Sequence, residues 1–268
     1  MGPDMTGYDD KEPQAHPPTV QIIAVGSELL TSTRLDTNSL FLTEQVNRLG
    51  IQVDRKSVVG DGEDQIASVL RAASDDAEVV FVTGGLGPTG DDITREVAAK
   101  LFERPLIFDP AIMKSIEARA RRFGFPLAEN NRKQAMVPEG AEVLPNAKGT
   151  APGLLLRVHG TLVFLLPGPP RELKPMVTGQ VARILEETFP VSVHLSRHLS
   201  VASMTESSVD ALVEPIYSQY PDIQTTILSS PGIIHLHLSH AGGSRAGDAM
   251  LEELIARIRT TLGDSLFT

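Results

Sequence analysis

Apolar positions in the first two thirds of the chain come in short unbroken runs, separated by stretches where they recur at helical spacing. Val20–Val25, Glu78–Thr83 (EVVFVT) and Leu162–Leu166 (LVFLL) are apolar on both faces, the pattern of strands buried in a parallel sheet. Ile51–Val59 reads as a further strand. Asp36–Gly50, Gln65–Ala73, Asp91–Phe102, Asp109–Phe123 and Arg171–Phe189 read as helices, the first bounded by a capping aspartate and a terminating glycine. This alternation predicts an α/β fold with a doubly wound, mostly parallel sheet. Ligands in such folds sit beyond the carboxyl ends of the strands. The loops there are Gly26–Asn38, Gly60–Asp64, Gly84–Asp92 and Pro167–Glu172.

The pattern changes after Pro190. Strand His194–Val201, helix Thr205–Tyr217, strands Gln224–Leu228 and Ile233–His240 around a Pro231-Gly232 turn, and helix Arg245–Leu262 make a second, smaller α+β domain. The division is therefore 19–190 and 191–268. Residues 1–18 are polar and proline-rich, with four acids against one lysine. They are expected to form a disordered tail, because they bury too little apolar surface to offset ordering entropy.

Composition narrows the function classes. The 268 residues contain no cysteine, which excludes disulfides, thiolate metal sites and a cysteine nucleophile. A net charge of −10 argues against a broad nucleic-acid surface. No apolar run approaches the roughly 20 residues that cross a bilayer, and the N-terminus lacks the pattern of a secretory signal. The expectation is a cytoplasmic protein with no membrane partner. There is no G-x-S-x-G elbow to suggest a serine nucleophile.

Most information lies in Thr83–Glu96, TGGLGPTGDDITRE, which follows a buried strand and opens a helix. Gly85, Gly87 and Gly90 match G-x-G-x-x-G, and Asp109 lies about 20 residues on, where a dinucleotide fold places its ribose-binding acid. Three features oppose that reading. Pro88 stiffens the loop, the match follows the third strand and not the first, and Asp91 and Asp92 stand where a bare pyrophosphate would need free N–H groups. The spacing also resembles a P-loop in which Asp91-Asp92 replaces Lys-Ser/Thr. A divalent cation (Mg, Mn or Co) resolves both objections, since hard oxygen donors beside a glycine loop suit such ions. The structural alternative is that Thr89 and Asp92 form a T-x-x-D capping box.

Other polar clusters fall on the remaining loops. Glu28 ends the first strand as a ligand or base, or as a solvated loop acid. Asp36-Thr37-Asn38-Ser39 serves a helix cap or a ligand. Asn130–Gln134, with Asn131 and Lys133, and the Lys148–Gly153 loop, with Thr150, bring local positive charge that could face phosphate. Pro167-Gly168-Pro169-Pro170 makes a rigid pocket wall, and Glu172 there is ordinary helix-start chemistry. His235, His237 and His240 (HLHLSH) place two imidazoles on one strand face, a possible metal pair with no carboxylate near in sequence.

Together and in this order, GSELL with DTNS, TGGLGPTGDD, NNRKQAMVPEGAEVLPNAKGTAPG and LLPGPPREL resemble the CinA family. Its N-terminal domain is similar to the molybdopterin-binding fold of the MoaB, MogA and MoeA proteins. The resemblance covers Val20–Phe189 and continues more weakly beyond. It implies a three-layer α/β nucleotide-binding domain, with metal-dependent hydrolysis of ADP-ribose to AMP and ribose 5-phosphate. Its molybdenum-cofactor relatives imply instead a pterin- or nucleotide-binding module that acts with a partner. By matched motif, Gly84, Gly85, Gly87, Gly90, Thr89, Asp91 and Asp92 carry over as binding residues, the two aspartates as metal ligands. Glu28, Asn38, Asn131, Lys133, Lys148, Thr150 and Gly168 complete the candidate site, with Glu28 as base and Lys133 or Lys148 stabilising negative charge. The resemblance also implies a small-molecule nucleotide substrate and a homodimer. Thr31-Ser32-Thr33 stands where the family often has glycine. The second domain is similar to the family's KH-like domain but is acidic and lacks a GxxG clamp. Many CinA proteins continue into a nicotinamide-mononucleotide deamidase domain, so that activity is expected to be absent from a chain ending at Thr268.

Overall fold

A computed structural model describes residues 17–124, 126–189, 195–240 and 245–267. Nearly all of the N-terminal tail, and His194, lie outside these. The chain divides after residue 190 into two compact units.

The first unit is built on a six-stranded sheet. Strand β1 (Val20–Val25) pairs in parallel with β2 (Arg55–Val59) and β3 (Val79–Thr83), and β3 with β8 (Thr161–Leu166). Two antiparallel strands, β7 (Gly153–Val158) and β6 (Glu142–Leu144), extend the far edge, giving the order β2-β1-β3-β8-β7-β6. The sheet is thus mixed, parallel from the β2 edge through β8 and antiparallel beyond it. Every residue of β1, β3 and β8 is buried, as the unbroken apolar runs require.

Side chains alternate between the two faces. Ile23, Val25, Val80 and Val82 join one core cluster with Ile66, Leu70, Val97, Ala98, Ile112 and Ile116. Those partners come from α2 (Glu63–Asp76), α3 (Thr94–Leu101) and α4 (Pro110–Phe123). The opposite face carries Ile22, Ala24 and the stacked rings of Phe81 and Phe164, 5.2 Å apart. That face falls to α1 (Thr37–Arg48), α5 (Pro170–Met176) and α6 (Ala182–Thr188), whose Leu42, Val46, Leu173, Met176, Ile184 and Leu185 are buried. The result is three layers.

Several elements differ from the sequence reading. Strand β2 begins at Arg55, because the Asp54 carboxylate accepts the Val20 N–H at 2.6 Å and ends the preceding coil. Helix α3 begins at Thr94, so Asp91 and Asp92 lie in the turn before it. The long C-terminal helix is interrupted at Val177–Val181 by a π-helical turn, just after Pro175, which has no N–H for the helical ladder. Asp109 caps α4, accepting the N–H groups of Ala111 at 2.7 Å and Ile112 at 3.2 Å. Its place about 20 residues beyond the glycine loop therefore has a helix-start cause, not a ribose-binding one. A small pair, β4 (Leu106–Phe108) with β5 (Met136–Pro138), lies outside the main sheet.

The second unit is a four-stranded antiparallel sheet, in the order β10-β11-β9-β12. Its strands are β9 (Leu195–Ala202), β10 (Ile223–Ser230), β11 (Ile233–His240) and β12 (Leu266–Phe267). Ile234, Leu236 and Leu238 face a core with α7 (Glu206–Tyr217) and α8 (Arg245–Leu262). His235 and His237 take the other face. There His237 lies opposite His198, their ring centroids 4.2 Å apart. Among the described residues no group of three or more His, Asp or Glu side chains is placed to hold a metal ion.

Burial, with His198 and His235 nearby, lowers the His237 pKa from 6.5. As pH falls the unfolded chain therefore takes up this proton first. The stability contributed by a neutral His237 is complete above pH 6.5 and is lost as pH falls through the folded value. Tyr217 and Tyr220 sit in this unit and the chain has no tryptophan, so tyrosine fluorescence follows its unfolding. The urea midpoint is expected to be lower at pH 5 than at pH 7.5. His237→Gln should flatten that difference, and an unchanged pH dependence in the variant would refute the assignment.

Candidate functional site

The carboxyl ends of β1, β3 and β8 are adjacent, with Ala24 paired to Thr83 and Thr83 to Leu166. The three loops that follow therefore converge. Gly84 closes the join. Its N–H donates to Leu166 O at 3.0 Å, its φ is +99°, and a Cβ there would stand 2.2 Å from Val25 O. Gly85, at φ +66°, abuts Thr94, whose Oγ1 would lie 2.1 Å from a Cβ. Only glycine meets both demands.

Between these loops is a cleft of about 600 Å³. Of the residues named from sequence, Glu28, Asn38, Gly84, Gly85, Gly87, Asp91, Asp92, Thr150 and Gly168 line it. Pro167, Pro169 and Pro170 form one wall. The Asn38 Nδ2 donates to Gly168 O at 2.7 Å and ties the first loop to that wall. Asp36 caps α1 by accepting the Ser39 N–H at 3.0 Å, and it also lines the cleft.

The loop from Gly84 to Asp92 is braced by its own carboxylates. Thr89 N–H donates to Asp92 Oδ2 at 2.9 Å. The Thr89 hydroxyl lies 2.5 Å from both Asp91 Oδ1 and Asp92 Oδ2. One hydroxyl proton serves one acceptor at a time, so three oxygens crowd around one hydrogen. The Thr89 hydrogen bond, then Asp91's own N–H and the Lys133 charge, lower the Asp91 pKa. This side chain is an anion at neutral pH. Among the described residues the N–H groups of Gly85, Leu86 and Gly87 donate to no protein acceptor, whereas those of Gly84 and Thr89 are already engaged.

Five residues named from sequence do not line the cleft: Thr89, Gly90, Asn131, Lys133 and Lys148. Thr89 acts through the aspartates. Lys133 Nζ donates to Thr89 O at 2.8 Å and Asp92 O at 2.6 Å, so its charge holds the loop from outside. Asn131 Nδ2 donates to Gln134 Oε1 at 3.1 Å, and Gln134, only 1% exposed, is the one that reaches the cleft. Lys148 is held through its backbone, its N–H by Asn146 at 2.9 Å and its carbonyl by Arg119.

Behind the loop lies Arg95, 1% exposed. Its guanidinium donates to Leu86 O and Lys133 O, both at 2.8 Å. Burial lowers its pKa, with Glu96 and Asp92 opposing. Sequence reading missed Arg95, along with the cleft residues Arg34 and Asp61 and the site role of Glu172, and it named Gln134 only as the end of the Asn130–Gln134 cluster. Arg95 sits at the fourth residue past Asp91 in a helical pattern, where an arginine signals only a solvated face.

The lining holds six carboxylates (Glu28, Asp36, Asp61, Asp91, Asp92 and Glu172) and one guanidinium, Arg34. The Asp91 and Asp92 carboxylates are hard oxygen donors of the kind that a divalent cation takes. The two carboxylates are fewer than a closed protein site supplies, so phosphate oxygens and water would complete the shell, as Mg²⁺-type ions prefer.

This is the architecture of a molybdopterin-binding-type α/β domain, and residues 21–187 match the family described as a probable molybdopterin binding domain. CinA-like proteins of Solibacter usitatus and Acidobacterium capsulatum are 42% and 43% identical to this chain over 249 and 253 residues. Each alignment takes in 92% of this chain, and it covers 60% and 61% of the two proteins. The solved structure of CinA from Thermoplasma acidophilum is 32% identical, with a TM-score of 0.57 over 64% of this chain and 97% of that one. The chain therefore belongs to the CinA family of molybdopterin-binding-domain proteins. It spans about 60% of the length of the curated relatives it matches. Among the described residues no helix is long and apolar enough to cross a membrane.

Proposed function

We propose that the cleft binds the diphosphate of a nucleoside-diphosphate sugar, foremost ADP-ribose, and hydrolyses it to AMP and ribose 5-phosphate with a divalent cation. The observation that carries this reading is the Thr89–Asp91–Asp92 oxygen cluster beside a glycine loop with unused N–H groups. Six carboxylates against one guanidinium repel a bare diphosphate, so the phosphates need a cation between them and the acids. When bound, that cation supplies the positive charge at the phosphates and lowers the pKa of a coordinated water.

The chain's own residues do the rest. Gly85, Leu86 and Gly87 N–H groups receive phosphate oxygens and stabilise the charge that builds on them. Asp91 and Asp92 hold the cation, Glu28 takes a proton from the attacking water, and Lys133 keeps the two aspartates in place from behind. The family's description favours a second reading, a pterin- or nucleotide-binding module without turnover.

The two separate in one assay. The purified chain, given ADP-ribose with Mg²⁺, Mn²⁺ or Co²⁺, is expected to release AMP, and EDTA is expected to stop it. Asp91→Ala and Asp92→Ala should each lower the rate at least about 100-fold, equivalent to ~3 kcal/mol of transition-state stabilisation. Full activity in both variants would remove the cation site. Binding of ADP-ribose with no AMP under any metal would favour the binding module.

A further inference from the structure

Glu172 is the most deeply buried acid of the cleft, 8% exposed where the other five carboxylates are half-buried or exposed. Its surroundings are sparse for a buried charge. Oε2 accepts one hydrogen bond, from Asn146 Nδ2 at 2.9 Å. Oε1 has only Arg171 Nε at 3.7 Å, beyond hydrogen-bond reach, on a side chain that is 80% exposed. A buried carboxylate with one neutral donor is under-compensated.

Its orientation is nevertheless fixed. Asn146 also donates to Ala151 O at 2.7 Å and accepts the N–H groups of Lys148 and Gly149 at 2.9 and 2.8 Å. The 146–151 loop is thereby wrapped around Asn146. That loop lies directly on Glu172, since a Cβ at Gly149 would stand 1.8 Å from Oε2. One oxygen is bound to the scaffold, the other accepts no hydrogen bond from the protein, and Glu172 lines the cleft together with Thr150 and Pro170.

An ionised carboxylate only accepts. A phosphate at this wall is repelled, so Glu172 complements a ligand that presents donors, and in a nucleotide whose phosphates lie on the Gly85–Gly87 amides the donors nearest the phosphates are the ribose hydroxyls. We infer that Glu172 reads the vicinal hydroxyls of a ribose, so that a nucleotide lies with its phosphates on the Gly85–Gly87 amides and a ribose diol against the Pro167–Pro170 wall. The inference rests on the reading of the cleft as a nucleotide site, but it does not require hydrolysis.

The test is binding, measured by calorimetry in Mg²⁺. AMP is compared with its 2′-deoxy and 3′-deoxy forms, and ribose 5-phosphate with 2-deoxyribose 5-phosphate. Wild type is expected to bind the fully hydroxylated member of one pair roughly 10- to 100-fold more tightly, the worth of one or two hydrogen bonds to a charged group. The AMP series answering places the nucleoside diol at Glu172, and the sugar-phosphate pair answering places the distal ribose there. In Glu172→Gln the preference should shrink to a few-fold, whereas Glu172→Asp should retain part of it. Equal affinity of wild type for both members of both pairs overturns the inference, as does a preference undiminished in Glu172→Gln, or no binding of any of these compounds. A preference present without AMP release from ADP-ribose leaves this inference standing and removes the hydrolase reading alone.

Discussion

Gly84→Ala is expected to destabilise the first unit by more than about 3 kcal/mol and to abolish ligand binding in whatever fraction still folds. Two costs combine. An alanine at φ +99° carries a backbone penalty of about 1–3 kcal/mol. Its Cβ would also stand 2.2 Å from Val25 O, a backbone atom at the end of a strand paired on both sides. That carbonyl moves only if β1 shifts against β3, which breaks the Ala24–Thr83 end of the ladder. The Gly84 N–H bond to Leu166 O is strained by the same movement. Gly90→Ala is the control. It has no atom within 4 Å of the added carbon and no positive φ, so its effect should stay within about 1 kcal/mol and be stabilising in sign if the unfolded-chain entropy dominates. Urea unfolding followed by far-UV circular dichroism measures both. Equal midpoints for the two variants would show that Gly84 does not set the junction of the three loops.

What the sequence makes legible follows from which forces act locally. The buried central strands could be read because parallel strands covered on both faces show no polar interruption, and β1 is found with the bounds read for it, Val20–Val25. Helix α8 likewise matches Arg245–Leu262, since its apolar stripe is long and regular. Strand β7 was passed over for a specific reason. It turns into β8 through His159 and Gly160, both with positive φ (48° and 90°), the geometry of a tight hairpin turn. The usual Asn-Gly or Asp-Gly signature of that turn is absent. The candidate site divides on the same principle. Residues contributed by one contiguous loop, such as Gly85, Asp91 and Asp92, could be read from spacing. Lys133 could be named but not placed, because which way an ammonium points depends on carbonyls 41 and 44 residues away. Glu172 illustrates the limit most clearly. As a residue at the start of a helix it has an ordinary local explanation, and only the fold brings Asn146 and Gly149 against it.

Arg95 is the residue through which the fold and the site are joined, and its replacement is the second large effect expected. One guanidinium nitrogen holds Leu86 O, in the glycine loop, and another holds Lys133 O, in the segment after α4. Lys133 in turn reaches back to Thr89 O and Asp92 O. The two cations therefore lace the same two segments together from opposite ends. Arg95→Ala removes both charge-assisted bonds, leaves two carbonyls without their donor and opens a cavity where the side chain was 1% exposed. A loss of about 4 kcal/mol follows. Arg95→Met keeps most of the volume and relieves the burial of a charge whose Nε has no partner, so it should cost distinctly less. Its signature is elsewhere. With the volume filled but the laces cut, the hydrogen-bonded amides of Thr89, Asp92 and Thr94, the last donating to Gly85 O, should exchange with solvent faster, and those of β1 and β3 should not. Lys133→Met should accelerate the Thr89–Asp92 end alone, because Arg95 still holds Leu86. Hydrogen exchange on the three proteins separates these cases. Unchanged protection of Thr89, Asp92 and Thr94 in Arg95→Met would mean that the loop's own carboxylate bonds, and not the buried guanidinium, fix the shape of the phosphate-facing surface.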